Sequence, residues 1–107
     1  MKQRAISESL ADADSGLDAV VQAIAGCKEP SAIRAFLEDL CTPAELEAMV
    51  DRWKVVPLLL QGIPYRDIHD RTAVSVTTIG RVARTLERGA GGYGIAARKL
   101  RLPVTTA

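Results

Sequence analysis

Thr77, Arg81, Arg84 and Arg88 carry the clearest chemistry that this sequence offers. Advancing about 100° per residue along a helix from Thr77 brings the three arginines within about 40° of it, while Ile79, Val82 and Leu86 fall on the opposite side. One face then presents a hydroxyl and guanidinium forks, which pair with phosphate oxygens or with the O6 and N7 edge of guanine; the other is apolar. Few carboxylates stand three or four residues from these arginines, Arg84 and Glu87 being the clearest exception, so the stripe suits an external anion. A solvated helix face has the same composition, and the neighbouring elements must decide between the two.

Those elements read as a helix-turn-helix. Helical patterns over Tyr65 to about Thr72 and over Val76 to Arg88 are separated by about three residues, and Ser75 suits the N-cap of the second. Such a turn places Ser75, Val76, Thr77 and Gly80 nearest base edges, Arg66, Arg81 and Arg84 against guanine or phosphate, and Arg88 and His69 along the backbone. Upstream, Ile6, Leu10, Ala13, Leu17, Val20, Val21 and Ile24 make one apolar stripe, and Pro30 opens a second helix that ends near Cys41. Thr42-Pro43-Ala44-Glu45 has the spacing of a capping box and starts a third, apolar at Leu46, Met49, Val50, Trp53, Val56 and Leu60. Pro57 inside that pattern predicts a kink or an early stop near Val55 or Val56. Gly89, Gly91, Gly92 and Gly94 interrupt the chain before a last helix from Ile95 to Leu100. No segment has a sustained strand period. The expectation is one all-α domain over residues 1–101, with the helix-turn-helix at about 65–88 and a flexible tail over 102–107.

Composition narrows the function classes. At 107 residues, with 48% hydrophobic and 25% charged, the chain suits one modest core rather than a two-lobed enzyme. No apolar run reaches membrane-spanning length and no leader-like apolar stretch follows Met1-Lys2-Gln3-Arg4, so a cytoplasmic protein, nucleoid-associated when on DNA, is expected. Cys27, Cys41 and the lone His69 cannot supply a metal set, and the cysteines read as small core or boundary residues. The net charge of +1 conceals an asymmetry: six cations against ten carboxylates before Gly62, a balance of −4, and eight against three after it, a balance of +5. Seven of those eight cations are arginine, whose planar fork favours polyanions.

The residues also resemble a known family. Leu40-Cys41-Thr42-Pro43-Ala44-Glu45-Leu46-Glu47-Ala48-Met49, Arg52-Trp53, Tyr65-Arg66-Asp67-Ile68, Thr78-Ile79-Gly80-Arg81-Val82 and Gly91-Gly92-Tyr93 are similar to the YerC/YecD branch of the Trp repressor superfamily, over roughly residues 30–100. The resemblance implies an intertwined, all-helical homodimer whose two helix-turn-helix units reach successive major grooves of a near-palindromic operator; Trp repressor is a standard example of that docking. It also aligns Arg52, Thr78, Arg81 and Thr85 with the family's corepressor contacts, which makes L-tryptophan or another amino acid a chemically feasible effector, although none is required. Two departures stand out. Ala73 occupies a turn position where the family often has glycine, and Gly80 and Ala83 replace a hydroxyl and an amide, so base specificity is expected to differ from that of relatives. Together these features predict a DNA-binding transcriptional regulator of the repressor type and no enzyme. The alternative is a helical interaction module whose arginine face meets an acidic protein.

Overall fold

The computed structural model describes residues 6–105, with side-chain surroundings from residue 12 onward. Six helices and no strand occur among them: α1 (Ile6–Cys27), α2 (Pro30–Leu40), α3 (Pro43–Leu60), α4 (Tyr65–Thr72), α5 (Val76–Arg88) and α6 (Gly92–Lys99). The chain divides into two compact units between Thr42 and Pro43, a division that the expectation of a single domain over 1–101 does not draw.

In the first unit, α1 and α2 pack as a hairpin. Lys28 takes a positive φ of 61° at the bend, Glu29 is extended, and Pro30 opens α2, where its missing amide hydrogen is no loss. None of residues 12–42 is buried.

The second unit holds the core. α3 packs against α4, α5 and α6, and α4 packs against α5. Val55, Val56, Ile68 and Ile79 have no exposed surface, and Val74 and Val82 join them. Trp53, Leu58, Leu59, Leu60, Ile63, Leu86 and Tyr93 close over this cluster. Trp53 and Tyr93 meet with ring centroids 6.3 Å apart, so the single tryptophan serves packing, as its helical spacing suggests.

Pro57 does not stop α3 near Val55 or Val56; the helix runs to Leu60. The complete burial of both valines outweighs one lost amide bond, and donation resumes from the Gln61 amide to the Pro57 carbonyl at 3.2 Å. The helix then closes in a Schellman arrangement: Gly62 at φ +73° donates to the Leu59 carbonyl at 3.0 Å, and Ile63 to the Leu58 carbonyl at 3.1 Å.

The last helix begins three residues before Ile95. Gly91 at φ +88° makes the bend, and Gly92 through Gly94 are already helical. Arg101 at φ +56° ends it in a second Schellman arrangement, with the Leu102 amide reaching the Ala97 carbonyl at 2.9 Å. Beyond it the Thr105 amide donates to the Leu60 carbonyl at 3.0 Å, so the chain through residue 105 is tied to the end of α3; residues 106–107 of the expected tail lie outside the described residues. Among the described residues no helix is long and apolar enough to cross a membrane.

Candidate nucleic-acid interface

The interface is built on α4, the turn at residues 73–75, and α5. Ser75 caps α5: its hydroxyl accepts from the Thr78 amide at 3.1 Å and donates to the Thr78 hydroxyl at 3.0 Å. That double engagement uses the Ser75 proton inside the cap, so Ser75 shapes the helix start while its neighbours Val76 and Thr77 project into solvent.

From this start the helix keeps its two faces apart. Ile79 and Val82 are buried and Leu86 packs on the core, while Thr77, Arg81, Arg84 and Arg88 are exposed. The side chains that the core needs therefore hold the cationic stripe outward. Arg66 and His69, both exposed, stand on α4, which packs against α5. Gly80 is half-buried next to α4, where a methyl group would just touch the Tyr65 ring at 4.0 Å.

None of these arginines is neutralised among the described residues. Arg34 pairs with Glu38 at 3.7 Å and Lys54 with Asp51 at 3.4 Å, both on other helices. Glu87 does not pair with Arg84, contrary to the exception expected from their spacing. Three guanidinium groups at spacings of three and four residues repel one another modestly, by about 0.2–0.5 kcal/mol per pair, and a bound polyanion would remove that repulsion.

Arg81, Arg84, Thr85, Arg88 and Gly89 line an open groove of about 340 Å³ at the C-terminal half of α5. Gly89 permits the tight exit: a methyl group there would lie 2.6 Å from the Thr85 carbonyl oxygen. Of the four positions aligned with corepressor contacts, Arg81 and Thr85 border this groove, whereas Arg52 and Thr78 do not. The Thr85 hydroxyl donates to the Arg81 carbonyl at 3.0 Å, and the Thr78 hydroxyl accepts from Ser75. No group of three or more His, Cys, Asp or Glu able to hold a metal occurs among the described residues.

Side-chain periodicity did not disclose the bracing of the turn. Thr72 donates to the Ile68 carbonyl at 2.7 Å and accepts from the Val74 amide at 3.1 Å, and His69 Nδ1 meets the Val74 carbonyl at 2.8 Å. A threonine two residues before a turn amide is a readable signal of the first contact. The second joins residues five apart across a left-handed bend, a distance that helical spacing does not describe.

Known proteins place this arrangement. Residues 15–101 match the family described as Trp repressor protein. The chain is 34% identical over 80 residues to the uncharacterized protein YerC of Bacillus subtilis strain 168, an alignment covering 75% of this chain and 77% of that one. Its fold is similar to the crystal structure of a candidate Trp repressor from Staphylococcus aureus, with TM-score 0.79 and 27% identity over 85% of this chain and 91% of the other. It is also similar to a TrpR-like protein from Eubacterium eligens ATCC 27750, with TM-score 0.78 and 31% identity over 85% and 94% of the two chains. An all-helical chain with a capped, cationic second helix after a three-residue turn, matched over most of its length, belongs to the Trp repressor family.

Proposed function

We propose that this protein is a sequence-specific DNA-binding transcriptional regulator of the repressor type, acting as a homodimer on a near-palindromic operator. The observation that carries the reading is the α5 stripe, in which exposed Arg81, Arg84 and Arg88 have no ion-pair partner among the described residues and are backed by wholly buried Ile79. Val76, Thr77 and Gly80 lie nearest the bases, Arg66, Arg81 and Arg84 reach guanine or phosphate, and Arg88 holds the backbone. Exposed Leu17 and Val21 on α1 supply apolar surface for the second copy. Binding takes place in the cytoplasm and requires no cofactor, and the protein has no enzymatic role.

The test is a salt-titrated anisotropy measurement on duplexes selected from a random pool, with and without added amino acids. Arg66→Ala and Arg84→Ala each weaken binding by about 1–3 kcal/mol where the arginine reads a base, or lower the salt slope by about one where it meets phosphate. Unchanged binding in both variants overturns the residue assignment. Absence of even weak affinity for random duplex favours instead an acidic protein as the partner of the arginine face. Enrichment of symmetric half-sites only with tryptophan would assign Arg52, Thr78, Arg81 and Thr85 to a corepressor.

A further inference from the structure

We infer that His69 and Thr72 form a side-chain clasp on Val74 that fixes the direction in which α5 leaves the turn, making both of them positioning residues for groove binding. The functional half of this inference rests on the DNA-binding reading above; the structural half does not.

The turn needs such a device. Ala73 sits at φ +63°, in the left-handed region that disfavours any residue with a Cβ, so the backbone does not hold this bend by its own preference. Val74, which follows, is 4% exposed, and its amide and carbonyl both require partners because burial removes water. Neither finds one in a helix ladder, since α4 has ended and α5 has not begun. Side chains of α4 supply both. The Thr72 hydroxyl accepts the Val74 amide at 3.1 Å and donates to the Ile68 carbonyl at 2.7 Å, which fixes its rotation. A carbonyl can only accept, so the 2.8 Å contact from His69 to the Val74 oxygen requires the proton on Nδ1. His69 also takes the Ala73 amide on its own carbonyl at 2.8 Å, so one residue grips both sides of the left-handed bend. Immediately afterwards Ser75 caps α5. Hydrogen bonds thus run without interruption from Ile68 to Thr78, and α5 begins from a braced origin.

A braced helix forgoes the ordering that a loose one undergoes on binding, which is how the clasp acts on affinity without touching DNA. His69 is placed by the sequence pattern against the nucleic-acid backbone; with Nδ1 engaged by the turn, any phosphate contact falls to Nε2.

The two roles predict opposite orders for two substitutions in the full-length chain. Asparagine carries its amide nitrogen where histidine has Nδ1, whereas glutamine reaches toward Nε2. If His69 is a clasp, His69→Asn keeps affinity for a selected duplex within about twofold, and His69→Gln and Thr72→Val each lose about five- to thirtyfold, with Thr72→Ser restoring it. If His69 is a phosphate ligand through Nε2, glutamine outperforms asparagine, and that order, or equal behaviour of the two, overturns the proposal. Amide exchange at Val74 gives a readout independent of DNA: His69→Gln and Thr72→Val speed it relative to wild type, and His69→Asn and Thr72→Ser do not. Should the wild type bind no duplex at all, the DNA reading fails, and the exchange pattern alone upholds or overturns the clasp.

Discussion

In the second unit Val55, Val56, Ile68 and Ile79 are wholly enclosed, whereas in the first Leu17 and Val21 on α1 remain 62% and 54% exposed and no residue from 12 to 42 is buried. Both regions are built from amphipathic helices, so the contrast does not arise from composition. α3 to α6 close on one another around a shared centre, and four helices offer each apolar stripe a neighbour within the unit. A two-helix hairpin cannot enclose its own stripe, because two cylinders touch along one line and leave the flanks of that line wet. A stripe as long as that of α1 is stable in water only with tertiary packing, which for this unit must come from outside the hairpin. The second unit therefore holds the buried core and the cationic stripe of α5, and the first holds exposed apolar surface, which the proposed homodimer would use for assembly.

The largest effect separates the two regions by an identical kind of truncation. Ile68→Ala removes a fully buried side chain between α4 and the core and is expected to cost about 2–5 kcal/mol in urea unfolding, at any protein concentration. Leu17→Ala removes a side chain of the same size from an exposed surface that the proposed second copy would cover. Its cost should be small in dilute protein and grow with concentration, because stability gained through association follows mass action. Equal, concentration-independent losses at the two positions would mean that the first unit also contributes a closed core.

A second, smaller effect acts on association rather than folding. Placing carboxylates at Leu17 and Val21 by Leu17→Asp with Val21→Asp should raise the dimer dissociation constant by about tenfold or more, read by sedimentation, since each buries an unpaired charge in the contact. Helical content of α3 to α6 and its unfolding midpoint at low concentration should be unaffected. Dimers that persist unchanged would move the assembly surface elsewhere, for example to Met49 and Val50 or to Ile95 and Leu100, which are also exposed.

The second unit was also the more legible of the two. Tyr65–Thr72 and Val76–Arg88 can be read to the residue because Ser75 is a strong cap, the glycines after Arg88 end the pattern, and α5 separates its faces cleanly. The same separation placed Arg81, Arg84 and Arg88 outward in advance. Pro57 misled because local backbone chemistry favours a break where Val55 and Val56 are held by complete burial, a tertiary effect that no window of sequence contains. α6 starts early for a related reason: Gly92 and Gly94 are poor helix formers, yet Tyr93 between them packs on the core and against Trp53, and that contact carries the turn. Within the site, the Thr72 hydroxyl two residues before the Val74 amide is readable as a turn contact, whereas the imidazole that meets the Val74 carbonyl is not, since that bond spans five residues across a left-handed one. The first unit gave its helices but not its burial, because an apolar stripe looks the same whether it faces its own chain or another.

The smallest effects come from two residues that break local rules within the binding half, and they distinguish bracing from base contact. Ala73→Gly relieves a left-handed alanine, and Gly80→Ala fills a helix interior where the new methyl would meet only the Tyr65 ring at 4.0 Å. Each is expected to stabilise the chain by about 0.5–1 kcal/mol, visible as a rise of a few degrees in Tm. Their consequences for DNA should differ. Residue 73 lies in the turn, gripped by the clasp, so glycine there changes stability and leaves affinity nearly as it was. Residue 80 lies one turn into α5, on the side that the proposed docking sets nearest the bases, so a methyl group there should weaken binding to the selected duplex even as the fold gains stability. If Gly80→Ala instead improves both, the glycine is not kept for close approach to DNA, and the base-reading set contracts to Val76, Thr77 and the arginines beyond them.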